Sequence, residues 1–168
     1  MMEVVYLTSL VLILWMISKL LRHEAIFVPL PRETIRKMLK MARVKKTDIL
    51  YDLGAGDGRI AIIAAKEFGC CAVGVERNRI LCWLARRNAK RAGLDKKIKI
   101  IHGDLFKQDI SDASVVTVYL SKKVNEQLKR KLGRLKGARI VSASHVFKGW
   151  KETTKVKTGH FYCYLYKV

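Results

Sequence analysis

A chain of 168 residues is long enough for one domain with a packed core. Half of the residues are hydrophobic, which excludes a disordered chain. The formal net charge of +20 points to an anionic neighbour, whether nucleic acid, an acidic membrane face or an acidic protein, with a well-solvated surface as the plain alternative.

Residues 4–21 read VVYLTSLVLILWMISKLL, with no charge between Val4 and Ser18. A helix of that length rises about 27 Å, close to the hydrocarbon thickness of a bilayer. Trp15 and Lys19 lie toward one end, where an aromatic ring and a snorkelling ammonium are tolerated. The run lacks the basic start and small-residue cleavage site of a secretory signal. The expectation is an uncleaved single-pass membrane anchor over 1–22, followed by one domain over 23–168. The competing reading is a buried or interfacial helix packed on that domain. Lys19, Arg22 and the basic residues from Arg32 onward all follow the run, so the positive-inside rule puts the domain on the cytoplasmic side. Residues 1–21 carry one acid and one base, so the excess charge belongs to the domain. Beside an anionic leaflet each well-placed Lys or Arg gains about 1 kcal/mol.

After the linker FVPLP, Ile35, Met38, Leu39 and Ala42 recur at helical spacing and predict a helix over 32–43. Strands are predicted at 48–53, 71–76, 97–104, 114–120 and 138–144, and helices at 59–68, 78–92 and 125–135. The tail HFYCYLYKV predicts a last strand, paired as a hairpin with part of 151–158. Alternating strands and helices imply an α/β fold, a Rossmann-like, mostly parallel sheet with helices on both faces. Its ligand belongs beyond the C-terminal ends of the first strands. Cys70, Cys71, Cys82 and Cys163 form no C-x-x-C pair and have no histidine cluster beside them, so they are read as reduced thiols and no metal site is expected.

The loop in YDLGAGDGRI decides the ligand. It is not a P-loop, which needs G-x-x-x-x-G-K-[ST], and Gly54, Gly56 and Gly58 do not have the spacing of the dinucleotide fingerprint. Asp52 precedes the glycines and Asp57 lies among them. Carboxylates beside a helix start repel a pyrophosphate but suit a ligand with an ammonium and a sulfonium, which is S-adenosylmethionine. A ribose needs an acid at the end of the second strand, where Glu76 stands, since a carboxylate accepts from two vicinal hydroxyls. An adenine amine needs an acceptor at the end of the third strand, where Asp104 stands in HGDLF.

These motifs resemble those of the class I methyltransferases. FVPLP, YDLGAGDGRI, GVERN, GDLF, VVTVYLSKKVNEQL and RIVSASHVFKGW are similar to the archaeal protein-lysine methyltransferases and their mitochondrial relatives, from about Phe27 to the C-terminus. The resemblance implies a small S-adenosylmethionine-dependent enzyme that methylates lysine side chains of proteins. It also implies that Phe27 and Pro29 cover the donor. Leu30 departs from the family's usual Y/F-V-P-T.

On the acceptor side, Tyr119 at the end of the fourth strand is expected to wall an apolar channel that lowers the pKa of a lysine amine. His145, just past the fifth strand, is expected to accept a proton or line the mouth. Ser121 and Asn125 are further polar candidates at the same rim. V-Y-L-S at 118–121 stands where enzymes acting on adenine or glutamine amines often carry N-P-P-Y. The alternatives are methylation of RNA or DNA, through basic runs such as RRNAKRAGLDKKIK, methylation of a lipid or small molecule, and a non-enzymatic binding module.

Overall fold

The computed structural model describes residues 6–15 and 27–168. Residues 6–15 are helical, with exposed side chains. The rest of the expected anchor, and the boundary expected at 22, lie outside the described residues. Among the described residues no helix is long and apolar enough to cross a membrane.

Among the described residues seven strands form one sheet in the order β3-β2-β1-β4-β5-β7-β6. They are β1 (Ile49–Leu53), β2 (Cys71–Glu76), β3 (Ile98–His102), β4 (Val115–Val118), β5 (Arg139–Ala143), β6 (Thr154–Thr158) and β7 (Phe161–Lys167). The first five pair in parallel, joined by crossovers that are helical except between β3 and β4. β7 follows β6 through a hairpin and therefore lies antiparallel to both β6 and β5. β1 and β4 at the centre are buried along almost their whole length, which explains their continuous apolar runs.

Among the described residues four α-helices flank the sheet: α1 (Arg32–Met41), α2 (Arg59–Ile63), α3 (Arg79–Arg91) and α4 (Lys122–Leu132). The first three share one core layer. Ile35, Met38 and Leu39 of α1, Ile60 and Ile63 of α2, and Cys82, Ala85 and Ala89 of α3 meet Leu50, Ala72 and Val115 there. On the opposite face α4 packs Leu128 and Leu132 against Val116, Val118, Phe147 and Tyr166. The predicted helix 59–68 is α helical only to Ile63. Ala64–Phe68 continue as a π turn, and Gly69 in the left-handed region ends it.

Two boundaries differ from the sequence reading. α4 starts three residues before the predicted Asn125, because the Ser121 hydroxyl caps the Val124 N–H at 3.4 Å. Asn125 is thus a buried residue inside the helix. β3 ends at His102, two residues short of Asp104, because the Gly103 N–H donates to the Glu76 carbonyl and the chain then turns away. Cys70, Cys82 and Cys163 are buried and Cys71 is exposed. Burial pushes the Cys70 and Cys163 thiols up to about 11.

At the N-terminal edge of the sheet Arg139 joins three segments. Its guanidinium donates to the carbonyls of Ala42 and Arg43 at 2.7 and 2.8 Å and pairs with Asp48. The Ser114 hydroxyl donates to the same carboxylate at 2.9 Å. The Asp48 side chain is 8% exposed, so removing its partner leaves a nearly buried charge. Arg139→Met is expected to cost about 3 kcal/mol in urea unfolding. Adding Asp48→Asn to that variant should recover part of the loss.

Candidate functional site

The site stands at the C-terminal edge of the sheet, where β1, β2, β4 and β5 deliver their last residues. Between β1 and α2 the chain turns through Gly54, Gly56 and Gly58 at φ +85°, +55° and +81°. Each fills a place that a side chain would contest. A Cβ on Gly54 would come within 2.7 Å of Leu120, and one on Gly56 would collide with the Phe27 ring. Gly58 caps α2 with its Cα against Ala85. The N–H groups of Gly54 and Ala55 both donate to the Val75 carbonyl, at 2.8 and 3.0 Å, which fastens the turn to β2.

Glu76 locks the same turn from the other strand. One carboxylate oxygen accepts from the Gly56 N–H and the other from the Asn78 N–H, both at 2.9 Å. Each oxygen keeps a free lone pair, so the group can still receive two hydroxyls from a ligand. Asp52, one strand over, is 1% exposed. Its Oδ1 accepts from the Thr117 hydroxyl at 2.9 Å, while Oδ2 is buried without a hydrogen-bond partner. Burial, opposed by the Thr117 hydrogen bond and reinforced by the charges of Glu76 and Asp57, pushes the Asp52 carboxyl up to about 7. A buried acceptor left open in this way calls for a donor from a ligand.

Asp57 does a different job from the one its place in the loop implied. It is paired with Arg59, whose Nε and Nη2 reach its two oxygens at 2.9 and 2.7 Å. The same guanidinium donates to the Leu30 carbonyl at 3.0 Å and lies 5.9 Å from the centre of the Phe27 ring. Arg59 therefore clasps the FVPLP segment onto the glycine turn. This function escaped the sequence reading, as did that of Thr117. A basic residue at the first helical position gave no sign of a reach back across 29 residues.

Phe27, Gly56 and Glu76 are brought into direct contact. Pro29 is exposed beside them. Asp104 is exposed in the turn after β3, where its Oδ1 accepts from the Phe106 N–H at 2.9 Å. It stands one strand farther out and makes no hydrogen bond to the other carboxylates. Tyr119 and His145 stand past the ends of adjacent strands, and no hydrogen bond joins them. Tyr119 is half-buried and meets the Phe161 ring edge-on, with centroids 6.0 Å apart. Phe161 was missed in the sequence because it begins a strand predicted as an ordinary apolar hairpin. His145 is held by its main chain: its carbonyl accepts from the Ser142 hydroxyl at 2.5 Å and from the Asn125 amide at 3.3 Å. Ser144 before it sits at φ +68°, a left-handed conformation that turns the chain away from β5. Asn125 and Ser121 thus serve the scaffold of the rim, as an anchor for His145 and a helix cap. Among the described residues no group of His, Cys, Asp and Glu could hold a metal ion.

A sheet of this order with a reversed β7, a glycine turn after β1 and carboxylates at the ends of β1 and β2 define a class I S-adenosylmethionine-dependent methyltransferase. The profile of the ANTKMT methyltransferase domain matches residues 52–154, and the chain belongs to that family. It is 46% identical over 139 residues to a protein-lysine N-methyltransferase of Saccharolobus islandicus, covering 80% of this chain and 86% of that protein. It is 37% identical over 126 residues to a lysine N-methyltransferase of Homo sapiens named for the ATP synthase, covering 74% of this chain and 53% of that protein, so it spans about half the human protein's length. Among solved structures, an RNA methyltransferase from Salinibacter ruber in complex with S-adenosyl-L-homocysteine superposes with a TM-score of 0.82 at 40% identity, covering 83% of this chain and 93% of that one.

The open Asp52 oxygen has a measurable consequence. The folded carboxyl titrates near 7, above the 3.9 or so of an unfolded Asp, so the free protein loses stability as pH rises between those values. A cationic ligand group against Oδ2 favours the ionised form and opposes that loss. S-adenosylhomocysteine, which keeps the ammonium, should therefore bind about tenfold more tightly at pH 8 than at pH 6 in calorimetric titration. Asp52→Asn should flatten that dependence.

Proposed function

We propose that this protein transfers a methyl group from S-adenosylmethionine to the side-chain amine of a lysine in a protein substrate. The observation that carries this reading is the 46% identity with a protein-lysine N-methyltransferase over 86% of that protein's length. The site's chemistry supports it. Asp52 Oδ2 would face the donor's ammonium, Glu76 its ribose hydroxyls and Asp104 its adenine amine. Gly54, Gly56 and Gly58 allow close backbone approach, and Phe27 and Pro29 cover the donor. When bound, S-adenosylmethionine supplies a methyl group on a sulfonium, which departs as a neutral thioether.

The residues on the acceptor side have to admit an amine and strip its proton. A free lysine, with a pKa of about 10.4, is almost entirely protonated at neutral pH. The Tyr119–Phe161 ring pair offers an apolar wall that disfavours the ammonium and leaves the lone pair free to attack. His145, just past β5, would receive the proton. The amine forms its new N–C bond as the C–S bond breaks, so holding the two atoms in line is the protein's main task.

We also propose that residues 4–21 hold the enzyme to a membrane, with the domain on the cytoplasmic side. The uncharged run from Val4 to Ser18 and the basic residues after it support this reading, and Tyr6, Leu10, Leu14 and Trp15 are exposed. The full chain should stay with pelleted membranes after a high-salt wash. Recovery in the supernatant would discard the anchor.

A second reading, methylation of RNA, is favoured by the Salinibacter ruber relative and by the charge of +20. Methyl-labelled S-adenosylmethionine, incubated with the enzyme and cell extract, separates the two. Label should be recovered from protein as methyl-lysine, and Glu76→Ala should cut it at least about tenfold by removing charge-assisted hydrogen bonds. Label in the RNA fraction would replace the lysine reading with the nucleic-acid one.

A further inference from the structure

Helix α3 turns two large apolar side chains away from the core. Ile80 is 74% exposed and Trp83 is 58% exposed. Three residues apart, they are neighbours on the helix surface. Asn78 caps the helix two residues before Ile80, accepting from the Ile80 and Leu81 N–H groups at 2.8 and 3.0 Å, so the pair is fixed at the catalytic edge of the sheet. Single apolar residues on a surface need no explanation, but a rigid Trp–Ile pair set among cations does.

The cations are concentrated on the same helix. α3 carries Arg79, Arg86, Arg87, Lys90 and Arg91 and no carboxylate. The Arg87 guanidinium lies 5.2 Å from the centre of the Trp83 ring. An indole beside an aliphatic tip, bordered by arginines, is the composition of a surface that lies in the headgroup layer of an anionic bilayer. Nucleic acid would use the arginines and the indole but leave Ile80, the most exposed of these apolar groups, without a role. The chain also enters the domain on this edge, at Phe27 over Gly56.

We propose that the N-terminal half of α3 is an interfacial membrane-binding surface. Ile80 and Trp83 enter the headgroup layer of an anionic bilayer, and Arg79 and Arg87 meet its phosphates. The rim that holds Tyr119 and His145 then opens beside the lipid, and the amine it receives is one close to the membrane surface. The surface stands on its own observations and requires neither the anchor nor the lysine reading.

The test uses the full chain and vesicles of phosphatidylglycerol or phosphatidylcholine. With Trp15→Phe and Trp150→Phe, Trp83 is the remaining tryptophan of three. On phosphatidylglycerol vesicles its emission should shift to the blue and be largely lost to lipids brominated near the headgroup, far more than on phosphatidylcholine. Ile80→Asp should abolish that quenching while S-adenosylhomocysteine binding is retained. In a chain that carries Trp15→Phe alone, Trp83→Phe should remove the lipid-quenched part of the emission, which keeps the test independent of the Trp150 replacement. A chain that floats with the vesicles while Trp83 stays solvent-like overturns the surface and leaves the anchor standing. A chain that does not float overturns both. Quenching by added RNA in place of lipid makes this a nucleic-acid face and overturns the proposal.

Discussion

The Glu76 carboxylate is the junction on which the site depends. It receives the N–H of Gly56 from the turn after β1 and that of Asn78 from the start of α3, at equal distances. Two crossovers are thereby set against each other at the point where β1 and β2 end. The turn can follow this path because Gly56 takes a left-handed conformation with no side chain, which in turn lets the Phe27 ring settle over it. Replacing Glu76 therefore does more than remove a ligand contact. It frees two backbone donors, one from the buried turn and one from the approach to the α3 cap.

Around that junction the two carboxylates of the glycine turn are kept in different states. Asp57 is spent on Arg59, which draws the FVPLP segment down onto the loop. Asp52 is shut away from water with one oxygen satisfied by Thr117 and one left open. A charge held by an arginine is of little use to a ligand, whereas a buried acid whose ionisation is opposed by desolvation is drawn to the ionised form when a cation arrives beside it. The site thus stores part of its selectivity for a positively charged ligand in the desolvation of a single side chain.

Most of the architecture was legible from periodicity. Strands rich in Val and Ile alternate with amphipathic helices, and only a parallel sheet accommodates that order, so the strand sequence and the place of Asp52, Glu76 and Asp104 near strand ends followed. Contacts spanning long sequence separations were not legible. Nothing local in PLP or GRI announces that Arg59 holds Leu30, and nothing in SVVT marks Thr117 as the partner of Asp52. Periodicity puts the start of α4 at Asn125 because Lys122 and Lys123 interrupt the apolar pattern, although Ser121 is the cap. Phe161 reads locally as packing. Its role at the rim depends on β7 running back beside β5, a pairing that puts its ring against Tyr119.

The distribution of the four cysteines gives the protein a chemical handle. Cys70, Cys82 and Cys163 are buried, and their raised titration keeps them as unreactive thiols at ordinary pH. Cys71 alone is exposed, at the first position of β2, whose last position is Glu76. Five steps along a strand span about 17 Å. A thiol-directed reagent would therefore mark the molecule at one place, on the opposite edge of the sheet from the carboxylates. The unaltered chain is in effect already prepared for a single spectroscopic label that reports on the enzyme's orientation without touching its chemistry.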